Sequence, residues 1–307
     1  MHSTLGIPRS LCSTEMSANE QYSLAASETA SVRSYYRGKT AAIIDRYGPG
    51  PRVHYHIGLF DDHSLPHGAT AERIRARIVA AQDRLLERAA VVWDAATVFT
   101  GNLLEVGCGL GGGAIYWAQH FPVQVTALTN VAEQAAVTRR FAADAGVADR
   151  VRLLVTDIGD LRLTRQYPAA IAVESSCYVA RPRLFQRVAA VLEPGGVFGI
   201  EDIFLARPAW RVLFDAYWKT RIGTLPQYQQ AAEQAGMVMD QNMDITAHTS
   251  AFWLHSLAWA WARLAEPTVS TVEETRLMRS IRWHSRFLHG WCEGAYQARI
   301  LRFRKPG

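Results

Sequence analysis

The sequence predicts an α/β fold: a Rossmann-like sheet with helices on both faces and a helical cap. Three observations carry this. Short apolar runs alternate with amphipathic segments between residues 71 and 203, the pattern of parallel strands joined by crossover helices. One run, ending in Leu103, Leu104 and Val106, leads directly into Gly107, Gly109, Gly111, Gly112 and Gly113 and then into a stretch with helical spacing. Polar residues recur where the strands end, the edge at which open parallel sheets bind ligands.

Composition bounds the function. An apolar fraction of 49% with 20% charged residues belongs to a soluble globular chain. The formal net charge is +5 without any long basic run, so nucleic acid is not an expected partner. Cys12, Cys108, Cys177 and Cys292 form no C-x-x-C pair, which matches a reduced, cytoplasmic protein better than a disulfide or zinc scaffold. No apolar run reaches membrane-spanning length, and no signal peptide is evident.

In chain order, residues 1–30 read as a polar N-terminal arm that docks on a neighbouring subunit of a homo-oligomer. The domain proper spans 31–307. A helix over 19–47 is expected to break at Gly38. Residues 48–70 form a long histidine-bearing loop, a candidate lid. A helix over 71–93 carries Ile74, Ile78, Ala81, Leu85 and Val92 on one face. Strands follow at 103–106, 123–128, 151–155, 169–173 and 197–203. Helices lie between them at 114–118, 131–145 (closed by Gly146) and 182–192 (stopped by EPGG). The remainder, 204–290, reads as an aromatic-rich cap. It includes helices over 225–235, 251–264 and 269–291 and a strand over 237–245. A final strand covers 296–303.

The glycine turn admits two ligands. Gly107, Gly109 and Gly112 fit G-x-G-x-x-G, a dinucleotide fingerprint. Glu105 argues otherwise: a carboxylate at the strand end repels a pyrophosphate and suits a cation. The second strand ends in Thr129 and Asn130 rather than the acid that a nicotinamide site uses for its ribose. Further strand ends supply Asp157, then Glu174, Ser175 and Ser176, with Tyr178 just after and Gln134 one helical turn past Asn130.

The run EVGCGLGGG, with its E-x-G-x-G-x-G pattern, resembles the first motif of the class I S-adenosylmethionine (SAM) methyltransferases. From about residue 30 to 260 the chain is similar to the isoprenoid C-methyltransferases, which include the sterol side-chain and geranyl diphosphate enzymes. The similarity rests on Tyr35–Tyr36, HYHIG from His54, LTNVAEQ from Leu128, Thr156–Asp157, ESSCYV from Glu174 and EPGGVF from Glu193. The resemblance implies SAM as cofactor. Glu105, Gly107, Gly109 and Gly111 would serve its methionine end. Thr129, Asn130 and Gln134 would take ribose or methionine contacts, and Asp157 and Ile158 the adenine. Tyr36 and Tyr55 of the HYH loop would close over it. It also implies a hydrophobic acceptor, a terpenoid chain of the prenylated indole alkaloid type, with cyclisation of the resulting cation.

That chemistry suits the residues. An alkene attacking a sulfonium methyl needs no prior deprotonation, but it leaves a carbocation. Aromatic faces stabilise such a cation, by about 0.5–2 kcal/mol each when desolvated. Glu174 is the first candidate for base or cation stabiliser and His56 the second, with Tyr178 beside them. His54, His56, His63 and His67 raise the question of a metal, but no carboxylate–histidine helix pair accompanies them, and none is expected. An O- or N-methyltransferase, or a SAM-binding protein without catalysis, remains open.

Overall fold

The computed structural model describes residues 18–161 and 166–307, with side chains from residue 30 onward. The expected arm therefore lies outside the described residues as far as residue 17. The first helix, α1 (Ala18–Tyr47), runs through Gly38 without a break. A mid-helix glycine costs only about 1 kcal/mol relative to alanine, too little to end a thirty-residue helix.

Next come α2 (Ala71–Val92) and a short α3 (Ala95–Val98). Thr70 caps α2 by accepting from the Arg73 N–H at 3.3 Å. Its stripe of Ile74, Ile78, Ala81, Leu85, Ala89 and Val92 is buried, as the 3.6-residue period requires. The doubly wound core follows as β1 (Gly101–Val106), α4 (Gly112–His120), β2 (Val123–Thr129), α5 (Ala132–Asp144), β3 (Val151–Val155), β4 (Tyr167–Val173), α6 (Arg181–Val191) and β5 (Leu192–Leu205). EPGG is the start of β5 rather than a stop ahead of it. The chain continues as α7 (Arg211–Trp218), α8 (Leu225–Gln234), β6 (Val238–Asp244), α9 (Thr246–Thr249), α10 (Ala251–Leu264), α11 (Thr271–Cys292) and β7 (Tyr296–Arg304).

The sheet has the order β3-β2-β1-β4-β5-β7-β6. β1 pairs in parallel with β2 and β4, and β4 with β5, while β7 inserts antiparallel between β5 and β6. The sheet is thus mixed at one edge. Alternation along β5 separates two cores. Phe198, Ile200 and Phe204 face Leu184, Phe185 and Val188 of α6 and Tyr228 of α8. Ile203 and Leu205 face the other side, with α2, α4, α10 and α11. The stretch 204–290 divides accordingly: α8 and β6 complete the sheet and its second face, whereas α7, α10 and α11 cover the first face.

The 48–70 segment also divides. Val53, His54, His56, Ile57 and Phe60 are buried, and the Leu59 N–H donates to Ala81 O at 2.8 Å. Gly58 permits this approach, because a Cβ there would lie 2.7 Å from the Ala81 Cβ. Residues 53–60 are a packed strap on α2, and the stretch from 61 to 70 is mostly exposed.

Trp93 locks α2 to the sheet. It is fully buried, and its Nε1 donates to Leu301 O at 2.9 Å. Its ring lies flat against Gly199, where a Cβ would fall 2.5 Å from the indole. Gly199→Ala is expected to destabilise the fold by about 1–3 kcal/mol through overpacking. A urea midpoint equal to wild type contradicts this packing.

Candidate active site

A cleft of about 1020 Å³ opens at the carboxyl ends of β1, β2, β3 and β4. It brings together Tyr36, Tyr55, His56, Glu105, Gly107, Gly109, Thr129, Asn130, Gln134, Asp157, Ile158, Glu174 and Tyr178. Gly111 is the exception among the expected residues. It holds φ +82 ahead of α4, and a Cβ there would lie 2.4 Å from Thr138 Cγ2. Its glycine serves the contact between α4 and α5.

Glu105 is a buried carboxyl in the cleft wall. Gly113 makes room for it: a Cβ there would stand 2.1 Å from Glu105 Oε1. The carboxyl takes the Ala114 N–H at the start of α4, yet burial outweighs that bond and pushes its pKa up to about 8. Its Oε2 is buried without a hydrogen-bond partner. A cationic group of a ligand would satisfy it, and this fits the ammonium of SAM. Gly107 is needed for a different reason. A Cβ there would lie 2.5 Å from the Ser175 Cβ, and Ser175 Oγ donates to Val106 O at 2.5 Å. Gly109, at φ +53, has open space where its Cβ would point.

The other strand ends are partly engaged. Thr129 Oγ1 accepts from the Val131 N–H at 3.2 Å. Asp157 Oδ1 accepts from the Gly159 N–H at 2.8 Å, which caps a single 3₁₀ turn. Asn130 and Gln134 line the cleft beside them.

The HYH strap forms the roof. His54 Nε2 lies 3.1 Å from Asp83 Oδ1, and Arg52 pairs with the same carboxylate at 2.6 Å. His56 Nδ1 donates to Ile57 O at 2.5 Å, so its lone pair sits on Nε2, which is buried and unpartnered. Burial pushes its pKa down to about 3. The Ile57 N–H donates to Glu174 Oε1 at 2.5 Å, so the backbone of one residue, Ile57, orients both candidate groups. Glu174 holds a left-handed φ of 42, strain of order 1–3 kcal/mol that concentrates at functional sites. Burial, aided by Asp202, raises its pKa to about 8 against the Ile57 bond. The Tyr36 and Tyr178 hydroxyls meet at 2.5 Å. His54 and His56 are in edge-on ring contact with centroids 5.1 Å apart, whereas His63 lies 2.7 Å from Ser250 Oγ, and among the described residues no group of three or more His, Cys, Asp or Glu could hold a metal.

Two acids escape the strand-end reading. Glu201 and Asp202 are fully buried in β5. Asp202 accepts from the Ser176 hydroxyl, the Cys177 N–H at 3.2 Å and the Ile203 N–H at 2.8 Å. Neither oxygen of Glu201 has a partner, and burial raises its pKa well above the usual range. Consecutive acids inside an apolar strand, IEDIF, are the signal that marks them.

Beside Glu174 lies a second, small chamber walled by Tyr47, Tyr55, Tyr217, Trp218, Phe252 and Trp253. Tyr55, His56 and Glu174 line both cavities. The chamber joins an outer pocket between α1 and α11 through Arg46, Tyr47, Tyr55 and Tyr217.

The chain is similar to known methyltransferases in sequence and fold. A family model described as a methyltransferase domain matches residues 103–196. The geranyl diphosphate 2-C-methyltransferase of Streptomyces lasalocidi is 28% identical over 209 residues, covering 65% of this chain and 69% of the relative. The 27-O-demethylrifamycin SV methyltransferase of Amycolatopsis mediterranei is 28% identical over 212 residues, covering 64% of this chain and 71% of the relative. The fold superposes on geranyl diphosphate C-methyltransferase from Streptomyces coelicolor A3(2), solved with Mg²⁺, geranyl diphosphate and S-adenosyl-L-homocysteine. That match has a TM-score of 0.69 at 19% identity, covering 91% of this chain and 97% of that one. The chain has the class I methyltransferase fold, resembles the isoprenoid C-methyltransferases in sequence, and is a SAM-dependent methyltransferase.

Proposed function

We propose that the enzyme methylates an alkene carbon of a terpenoid chain carried on a prenylated indole alkaloid-type molecule, and that the resulting cation loses a proton or closes a ring. The observation that carries this reading is that the cofactor cleft and an aromatic chamber lie side by side, with Tyr55, His56 and Glu174 in the walls of both. When bound, SAM supplies an electrophilic methyl group on a sulfonium. Glu105 would hold its ammonium, the Gly107–Gly109 backbone would leave room for its methionine, and Asn130, Gln134, Asp157 and Ile158 would line its nucleoside.

The outer pocket would admit the acceptor, and the chamber would hold its double bond. Tyr47, Tyr55, Tyr217, Trp218 and Trp253 offer ring faces to the developing cation, worth about 0.5–2 kcal/mol each in a dry site. Burial excludes water that would otherwise trap it. Glu174 would supply the countercharge, since a cation beside a buried carboxyl favours its ionised form.

Labelled SAM presented with a geranylated indole and with geranyl diphosphate tests the reading. The label is expected on a former alkene carbon. A label found only on oxygen or nitrogen would instead favour the heteroatom chemistry named for the rifamycin relative. Glu174→Gln is expected to bind SAM nearly as wild type while turnover falls about 10²–10⁴-fold. A folded variant with wild-type rate and products removes Glu174 from the mechanism.

A further inference from the structure

We propose that His284 is the base that receives the proton when the acceptor cation collapses to an alkene. The inference rests on the alkene-methylation reading. His284 lies on α11, is 4% exposed, and lines the aromatic chamber without lining the cofactor cleft. Its Nδ1 is buried with no hydrogen-bond partner. Trp253 and Tyr217 flank the ring, with centroids at 5.7 and 6.4 Å.

The other polar groups of the chamber also line neighbouring cavities. Glu174 Oε1 is taken by the Ile57 N–H. His56 stands at the junction with the cofactor cleft, on the side from which the methyl arrives. Arg46 carries no lone pair at working pH. His284 alone among these faces only the chamber. Burial, with the charges of Arg46 and Lys39, holds its imidazole neutral. A neutral, weakly basic nitrogen suffices, because a C–H bond next to a carbocation is strongly acidic.

The step balances. The C–H electron pair becomes the new π bond, and the proton passes to the Nδ1 lone pair, giving an imidazolium. The same burial and nearby cations make that imidazolium a strong acid, so it returns its proton to solvent by way of the outer pocket that Arg46 also lines.

His284→Phe keeps an aromatic wall and removes the lone pair. With a geranylated indole, product is expected to shift from the proton-loss alkene towards water-trapped alcohol or a different alkene isomer, with unchanged SAM affinity as the control for folding. Identical carbon-methylated products from wild type and variant overturn the inference. No carbon-methylated product from wild type overturns the functional reading itself, and the role of His284 as base with it. A second measurement needs no turnover. N,N-dimethylgeranylamine, a terpenoid ammonium, is titrated into enzyme loaded with S-adenosylhomocysteine. Its N–H⁺ should donate to Nδ1, so His284→Phe is expected to weaken binding about tenfold or more. Equal affinity contradicts a cation-facing lone pair.

Discussion

The site depends on one constraint: a carboxyl group buried where a strand hands over to a helix. Glu105 can lie beneath the first turn of α4 only because Gly113 presents no side chain to it. Gly107 lets the following loop pass Ser175, and Gly112 lets the HYH strap settle, since a Cβ there would stand 2.4 Å from Val53 O. The glycine-rich run is therefore shaped by three close approaches inside the protein as well as by a ligand. What those approaches create is a carboxyl oxygen with no protein partner. In a low-dielectric site such a group is costly until a cation arrives.

The same physics recurs along the β4–β5 edge. Glu174, Glu201 and Asp202 are buried within a few residues of one another, and burial raises all three pKa values. Asp202 is steadied by hydroxyl and amide donors, whereas Glu174 has a single amide and Glu201 has no hydrogen bond to its carboxyl. The layout grades the carboxyls from structural to available. The most available one facing a cavity is Glu174, at the junction between cofactor cleft and aromatic chamber.

Much of this was legible in the sequence because local rules govern it. Ala251–Leu264 and Val151–Val155 follow from periodicity and flanking turn residues, and the cleft residues follow from the rule that ligands sit at strand ends. What escaped was set by tertiary context. Gly38 looked like a break but sits inside a helix whose length outweighs its propensity. The packing of the strap at 53–60 on α2 depends on Gly58, which lets it approach Ala81. His284 was invisible because its partners, Trp253 and Tyr217, come from helices far away in sequence.

Burial keeps the cleft's key carboxyl neutral, and a cationic ligand beside it would ionise it. Burial pushes the Glu105 pKa up to about 8, well above the ordinary carboxylate range. Near neutral pH it is therefore mostly protonated, and a cation bound beside it should lower that value and expel the proton. Calorimetric titration of SAM in buffers of differing ionisation enthalpy reads this directly. Release approaching one proton is expected at about pH 7, falling to about half near pH 8 and mostly gone by about pH 9 as the free carboxyl ionises on its own, and it should be largely lost in Glu105→Gln. SAM binding at neutral pH without proton release, or with release unchanged in Glu105→Gln, would contradict the account.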